Sequence, residues 1–404
     1  MPDPSPEGYD EGAWAGAIGR DESFSQLRWR SYSVHGMVMS GQAMKRVLIF
    51  RAGALGDTIL ATVLARSLKK YHPEVQIDFL VAKGLEGLFP LIPYVDRTFV
   101  FGSRKIPLEL DPWKGRLLRT LKRQEYDLAL LLETNWLFAR FFSKLHAYQK
   151  LSIAPYISSQ KKPTNLHTVM RYQEILWDAG ITPREILSPS LCVPVREKER
   201  LLGLLGGLGL DLERPLVGLL PGNSFRERKK LRRWTRYMDL RSWPEDRWVH
   251  LIQTLHHASP GVQFVLIGSR WDRAVNQRIL EGIRRRGGHI QAVSTAGMTD
   301  IPMVAALMER FRVFISTDSG PIHMAAALGI HIVGLYGPTR FEETRPFGDE
   351  RSVRVLRKEL PCQPCYGTSL QKRCRENVCM KAIEVSHVMG AIEDLGVVPH
   401  TEVQ

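Results

Sequence analysis

The sequence has no apolar run long enough to span a bilayer. Its longer uninterrupted apolar segments, such as Val47 to Phe50 and Leu128 to Leu132, fall far short of the ~20 residues that a membrane helix needs. The first 43 residues mix Pro, Gly, Ser and acidic side chains and lack the apolar segment of a signal peptide. We therefore expect a soluble, cytoplasmic chain in which residues 1–43 form a flexible extension.

Cysteine is also scarce, with five residues in 404. In a chain without an export signal this favours free thiols or metal ligands over disulfides. Cys362, Cys365, Cys374 and Cys379 lie close together in the sequence and supply the ligand number of a structural zinc site. An iron–sulfur cluster, free thiols and one disulfide remain alternatives, and the isolated Cys192 is expected to be buried.

Acidic side chains are outnumbered, with 42 Asp and Glu against 56 Lys and Arg, a formal net charge of +14. This excess favours an anionic partner. No RRM, KH or zinc-finger pattern is present, so a nucleic acid is not expected. Eight basic residues lie within the sixteen positions from Arg226 to Arg241, which favours a phosphorylated ligand or an anionic membrane surface. The alternative is a solvated charged face.

From residue 44 onward, strand and helix patterns alternate. KRVLIF is followed by a Gly-containing loop and then by a helix with apolar residues at helical spacing. YDLALLLE, at 126–133, is apolar on both faces, which is typical of a strand buried in a parallel sheet. The sequence predicts an α/β fold with two doubly wound, Rossmann-like domains facing a cleft, at 44–205 and 206–382, followed by a helix and tail at 383–404.

The loop from Arg51 to Asp57 joins the first predicted strand to the first helix. Gly53 and Gly56 permit a tight turn and the close approach of another molecule, while Asp57 supplies a carboxylate at the helix start. The loop is not the GxGxxG fingerprint, so NAD binding is not supported. As an alternative to a functional role, Asp57 is a simple helix N-cap.

A second loop, from Thr317 to His323, also joins a strand to a helix. Gly320 permits close contact there, and the backbone N–H groups of a helix start favour phosphate. In the alternative interpretation, Asp318 is a cap and His323 is a buried helix residue. A third loop, Leu220 to Asn223, ends another strand and leads into the basic run.

Three motifs in order, LIFRAGALGD, PGN followed by RSWPEDRW, and STDSGPIHMAAALGIHIVGLYGPT, resemble glycosyltransferase family 9, the bacterial heptosyltransferases. The resemblance covers roughly residues 45–395. It implies the GT-B fold, with the acceptor bound by the first domain and an ADP-sugar by the second. It also implies inverting transfer of L-glycero-D-manno-heptose to the inner core of lipopolysaccharide.

By this resemblance Asp57 is the general base, and Gly53 and Gly56 border the acceptor. The residues implied to bind the donor come from several loops of the second domain: Gly222, Asn223, Arg241, Asp272, Met298, Asp318, Ser319, Gly320, Pro321, Ile322 and His323. Arg241 stands where the family usually has Lys, and Lys229, Lys230 or Arg233 are alternatives for the cation at the phosphates. The segment with His167 and Arg171 resembles the family's stretch before the interdomain region. A packed or surface helix is expected there, with a role in acceptor binding as the alternative.

The implied partners are ADP-heptose, the lipopolysaccharide core with lipid A, and the anionic inner face of the inner membrane. No cofactor is required for the chemistry, with Mg²⁺ stimulation and a structural Zn²⁺ left open. One alternative is another GT-B sugar enzyme, either a transferase with a different donor or a nucleotide-sugar epimerase. A minor alternative is a nucleic-acid-binding protein.

Overall fold

The computed structural model of the chain describes residues 44–102, 106, 108–154, 166–222, 240–287 and 289–397. The strands within these ranges are β1 (Arg46–Arg51), β2 (Gln76–Ala82), β3 (Arg97–Phe101), β4 (Tyr126–Leu131), β5 (Ala147–Ser152), β6 (Leu216–Leu220), β7 (Gln263–Leu266), β8 (Ala292–Ser294), β9 (Phe311–Thr317), β10 (Ile332–Tyr336) and β11 (Val353–Arg357). The α-helices are α1 (Leu55–Tyr71), α2 (Pro112–Lys122), α3 (Trp136–Ser143), α4 (Thr168–Asp178), α5 (Val195–Gly206), α6 (Glu245–Ala258), α7 (Arg273–Arg285), α8 (Ile301–Met308), α9 (Gly320–Ala327), α10 (Phe341–Thr344), α11 (Ser369–Arg373), α12 (Val378–Lys381) and α13 (Val385–Leu395).

The strands form two parallel sheets. The first has the order β3-β2-β1-β4-β5 and the second the order β11-β10-β9-β6-β7-β8. In each sheet the strand order reverses beside the first strand, between β1 and β4 and between β6 and β9. Open sheets of this kind bind ligands at the carboxyl ends of their strands, at that switch point. The strand order alone therefore predicts two ligand-binding crevices, one at the switch point of each sheet.

Apolar residues on both faces explain the parallel strands. Val47 to Phe50 of β1 are fully buried, with α1 covering one face of the sheet and α2 and α3 the other. This matches the strand pattern read from the sequence, and helix α13 lies where an amphipathic helix was predicted. The two Rossmann-like α/β domains are confirmed, while the boundaries at 205/206 and 382/383 stay predictions.

One apolar cluster joins the two sheets. Helix α1 packs against α9, and α8 packs against α5 and the short 3₁₀ helix Glu86–Leu91. Backbone bonds reinforce the contact, since Leu191 N donates to Ala327 O (3.0 Å) and Cys192 N donates to Leu91 O (2.8 Å). The Cys192 side chain is exposed, so its predicted burial is wrong. Its extended neighbours Leu191 and Val193 take the inward positions, and the alternation of an extended chain turns Cys192 outward.

Helix α4 fastens the first half of the chain to the second. His167 caps the helix, with Nδ1 accepting from Val169 N (3.1 Å), so its Nε2 carries the proton and donates to Arg345 O (2.9 Å). Arg171 pairs with Glu343 at 3.3 Å. Burial lowers the pKa of His167 to about 4, which keeps the ring neutral. The predicted packed helix is confirmed, and within the described ranges no helix is long and apolar enough to cross a membrane.

Candidate functional site

The loops at the two switch points meet face to face. A Cβ added to Gly56, in the loop after β1, would lie 2.5 Å from Cδ2 of His323 and 3.3 Å from Cα of Gly320, in the loop after β9. A Cβ added to Gly320 would lie 3.0 Å from Cβ of Leu55. The two loops that the sequence singled out, although separated by more than half the chain, therefore form one site.

Asp57 is not the N-cap of α1. The cap is Ala54, which has no side chain to accept a hydrogen bond, and Asp57 lies in the first turn of the helix. Its carboxylate instead pairs with Arg51 (Nη2 to Oδ2, 3.0 Å) and remains 41% exposed. The simple capping alternative is wrong, because the carboxylate is directed to a cation and to solvent.

Arg51 pairs with a second carboxylate that the sequence reasoning missed. Glu133 follows β4, the neighbour of β1, and its Oε1 lies 3.3 Å from Arg51 Nη1. The same Nη1 donates to the carbonyl of Leu132. Tyr172 of α4 is buried beside this group. Burial raises the pKa of Tyr172 to about 12, helped by the negative charges of Asp57 and Glu133.

The loop after β1 needs glycine at positions 53 and 56 for steric reasons. A Cβ on Gly53 would lie 2.7 Å from Nε and 2.9 Å from Cζ of Arg51, so a side chain there would displace the guanidinium. At Gly56 the obstacle is His323 of the opposing loop. What Gly56 approaches in the structure is His323 of the other half of the protein, and the close approach of another molecule to this loop stays a prediction.

Helix α9 begins at the Asp318 loop with Pro321 in its first turn. Its N-cap is Ser319, whose side chain accepts no hydrogen bond from the helix. Pro321 has no N–H and Ile322 N donates to Ser319 O (3.2 Å), so the N–H of Gly320 is the first-turn donor that can face a ligand. Asp318 is not the cap, and burial raises the pKa of its carboxyl against the charge of Arg241. His323 is the buried helix residue of the alternative interpretation, and burial lowers its pKa, so the ring is neutral at pH 7.

Arg241 reaches the same loop from the other side. Its Nη1 lies 3.4 Å from the carbonyl oxygen of Asp318, and its Cζ lies 4.9 Å from the centroid of the Tyr366 ring. Backbone N–H groups of Cys365 and Tyr366 both donate to Pro338 O, at 3.0 and 2.9 Å. The segment after β11 thereby holds a cation beside the predicted phosphate loop.

Gly222 and Asp272, both predicted to bind the nucleotide-sugar donor, also lie in contact. A Cβ on Gly222 would lie 2.2 Å from Oδ1 of Asp272, which is 3% exposed and accepts from N and Oγ of Ser269 at 2.7 and 2.8 Å. Met298 is 47% exposed. Their contacts with a nucleotide stay predictions. Asn223 and the alternative cations of the basic run, Lys229, Lys230 and Arg233, lie outside the described residues.

The four late cysteines form no disulfide within the described residues. Among the described residues, no group of three or more His, Cys, Asp or Glu side chains is arranged to hold a metal ion, so zinc binding by Cys362, Cys365, Cys374 and Cys379 stays a prediction. Cys379 packs against the end of β10, where a Cβ on Gly337 would lie 3.1 Å from its sulfur. Burial raises the pKa of this thiol to about 11.

Comparisons with known proteins agree on one family. A sequence model described as glycosyltransferase family 9 (heptosyltransferase) matches residues 114–375. Lipopolysaccharide heptosyltransferase 2 of Salmonella typhimurium is 26% identical over 77% of this chain and 88% of its own length. Among solved structures, a family 9 glycosyl transferase from Veillonella parvula superposes with a TM-score of 0.73 at 20% identity, covering 87% of this chain and 97% of that one. The ADP-heptose heptosyltransferase II of E. coli gives 0.65 at 22% identity, covering 87% and 98%.

Proposed function

Because this chain belongs to glycosyltransferase family 9 and is a glycosyltransferase, we propose that it moves a heptose from ADP-L-glycero-D-manno-heptose to the inner core of lipopolysaccharide, with inversion. The relatives it matches are named as heptosyltransferases of lipopolysaccharide or lipooligosaccharide. The match covers 88% and 90% of the length of the first two of these relatives.

One observation carries the proposal. An accessible carboxylate, Asp57, stands in the loop at the switch point of one sheet, and the start of α9 stands at the switch point of the other. The contact of Gly56 with His323 brings the loop that carries Asp57 against the start of α9. A transferase needs this pairing, with a base for the acceptor hydroxyl on one side and a site for the leaving diphosphate on the other.

The chemistry follows as a single displacement. The Asp57 carboxylate takes the proton of the acceptor hydroxyl while that oxygen bonds to the anomeric carbon, and the bond from that carbon to the diphosphate breaks on the opposite face. The charge that grows on the leaving ADP meets the N–H of Gly320 at the start of α9 and the guanidinium of Arg241. This step needs no metal, although Mg²⁺ would add further charge stabilisation.

The test is a transfer assay with ADP-heptose and heptose-deficient lipopolysaccharide. We expect ADP release that depends on the acceptor, together with a product one heptose heavier and inverted at the anomeric carbon by NMR. A nucleotide-sugar epimerase would convert the donor without an acceptor. Turnover without acceptor, or no transfer to any truncated core, would refute the proposal.

We further propose that the chain works at the anionic cytoplasmic face of the inner membrane, docked through an apolar patch. The patch consists of Ile106, Leu110, Trp113 and Trp136, whose side chains are 42%, 73%, 58% and 61% exposed. Helices α2 and α3 both contact the short 3₁₀ helix Leu108–Leu110, which brings these residues together.

Position and charge favour a lipid surface as the partner. Since α2 follows β3 and α3 follows β4, the patch lies at the same sheet edge as the Asp57 loop. Residues 112–150 carry eight Lys and Arg against three Asp and Glu. Exposed Trp beside Lys and Arg is the composition that binds anionic bilayer interfaces. Docking there would point the base toward an acceptor embedded in the membrane.

Replacing both patch tryptophans, Trp113→Ala with Trp136→Ala, should weaken binding to anionic phospholipid vesicles by on the order of tenfold to a hundredfold, since two large apolar side chains no longer enter the interface. Co-sedimentation measures the partition. The control replaces two apolar residues outside the patch with similar exposure, Leu202→Ala with Leu370→Ala. Unchanged sedimentation, or a loss of self-association in place of vesicle binding, would contradict membrane docking.

A further inference from the structure

Two carboxylates share one guanidinium at the carboxyl edge of the first sheet. Arg51 contacts Asp57 at 3.0 Å and Glu133 at 3.3 Å through different terminal nitrogens. The proposed chemistry uses Asp57 and leaves Glu133 without a role. We infer that Glu133 is a positioning residue of the transfer reaction, which acts through Arg51 to hold Asp57 in place and to keep its carboxylate able to accept a proton. This inference rests on the proposed function.

The geometry first shows how Arg51 is held. Its side chain is 16% exposed, and the loop backbone at Gly53 closes over it. Nη1 donates a hydrogen bond to the carbonyl of Leu132 and forms an ion pair with Glu133, and both of these residues follow β4. With one end of the guanidinium fixed to a neighbouring strand, only the other end, Nη2, is left to orient Asp57. Loss of Glu133 would loosen that anchor.

The charges of Arg51, Asp57 and Glu133 also influence one another. A single Arg beside a carboxylate stabilises the anion and weakens it as a base. A second carboxylate on the same Arg offsets that stabilisation, because the group as a whole then carries one positive and two negative charges. Glu133 is only 12% exposed and Asp57 is 41% exposed, so solvent screens the inner partner less. Glu133 therefore shares the positive charge of Arg51 from the buried side, while the more exposed Asp57 faces solvent.

The other titratable groups around Asp57 do not take over the role of Glu133. Tyr172 of α4 is protonated at neutral pH because burial raises the pKa of its phenol to about 12. His323 of α9 is neutral, since burial lowers its pKa. Asp318 acts on Asp57 from the opposite loop, but its carboxylate belongs to the donor side. Among these groups, Glu133 is the one whose charge reaches Asp57 through a shared ion-pair partner.

The test is the pH dependence of kcat for Glu133→Gln, which keeps the shape of the side chain and removes its charge. We expect kcat at neutral pH to fall by about threefold to tenfold, because a carboxylate whose anion is more strongly stabilised is a weaker general base. The acid limb of the pH–rate profile should move to lower pH. In this variant Asp57 is the one carboxylate of the pair that still shares the charge of Arg51. The KM for ADP-heptose should change less than about twofold, because the donor contacts the other loop.

Two further variants separate a positioning role from a structural one. Glu133→Asp restores the charge and should recover most of the activity and the original acid limb. Glu309→Gln, which breaks an ion pair with Lys198 (2.7 Å) away from both loops, should leave kcat and its pH profile unchanged. A Glu133→Gln enzyme with the wild-type acid limb would overturn the inference, whether or not kcat falls.

The experiment also distinguishes failure of the inference from failure of the proposed function. If Asp57→Asn is inactive and Glu133→Gln keeps the wild-type profile, only the role of Glu133 is wrong. If folded Asp57→Asn retains full turnover, the base assignment is wrong and the inference falls with it. A Glu133→Gln enzyme as inactive as Asp57→Asn at every pH would mean that Glu133 is needed for the proton transfer as much as Asp57 is, which also overturns the positioning role.

Discussion

Asp57→Asn should lower kcat for heptose transfer by about 10²- to 10⁴-fold, the usual contribution of a general base. Asparagine has the same shape and can still accept a hydrogen bond from Arg51, so the loop should keep its conformation. What it lacks is the ability to take a proton. The KM for ADP-heptose should stay near the wild-type value, because the donor loop at Asp318 to His323 is unchanged.

A single-turnover assay with excess enzyme measures this loss without interference from product release. The matched control is Asp96→Asn, which alters a carboxylate of similar exposure, 40% against 41%, that pairs with Lys69 at 3.0 Å. That variant should transfer heptose at the wild-type rate. Full turnover by a folded Asp57→Asn enzyme would show that the proton goes elsewhere.

Gly56→Ala should lower kcat/KM by about 10²-fold, the penalty expected when reacting groups are misplaced by roughly an ångström. The new methyl group would lie 2.5 Å from Cδ2 of His323, and the buried ring has little room to move. The two loops would have to separate, which moves Asp57 away from the donor. Crowding of this kind also lowers the free energy of unfolding, by about 1–3 kcal/mol.

Gly203→Ala provides the control for the same chemical change. Gly203 lies inside α5, and an added Cβ there meets no atom within 4 Å, so activity should be unchanged and stability slightly higher. Steady-state kinetics and thermal unfolding of the two variants give the comparison. If Gly56→Ala were as active as Gly203→Ala, the close contact of the two loops would not be needed for transfer.

Much of the fold could be predicted from local patterns. Runs such as those of β1 and β4 are apolar on both faces, and this property depends only on neighbouring residues. The loops at Asp57 and Asp318 follow strands directly, so their place at the carboxyl edge of a sheet follows from chain order alone. Their contact with one another was beyond such patterns, because it depends on how the two sheets pack.

The Arg51–Glu133 pair shows the limit at the level of the site. The two residues are separated by 82 positions and meet only because β1 and β4 are neighbours. Periodicity identifies strands but does not give their order. A carboxylate directly after an apolar strand was the available signal at Glu133, and the order found in Rossmann-like sheets would have placed it beside β1.

The predicted burial of Cys192 and the capping alternative for Asp57 fail for related reasons. The sequence favours burial for an isolated cysteine, but an extended segment alternates its side chains, and Leu191 and Val193 already face inward. An Asp near a helix start is usually a cap, but here the helix begins two residues earlier, at Leu55. In each case, moving the residue by one or two positions along the chain would change what its side chain contacts. The amino-acid composition of a segment does not give positions to that precision.

Leu64 of the first half and Met324 of the second belong to the same buried apolar cluster. Heat or denaturant therefore cannot melt one sheet without exposing the core of the other to water. The stabilities of the two sheets are therefore coupled through this cluster, although each sheet also has an apolar cluster of its own. Evolution can then exchange donor or acceptor loops at the rims, but it cannot replace one half as an independent module without redesigning the shared core.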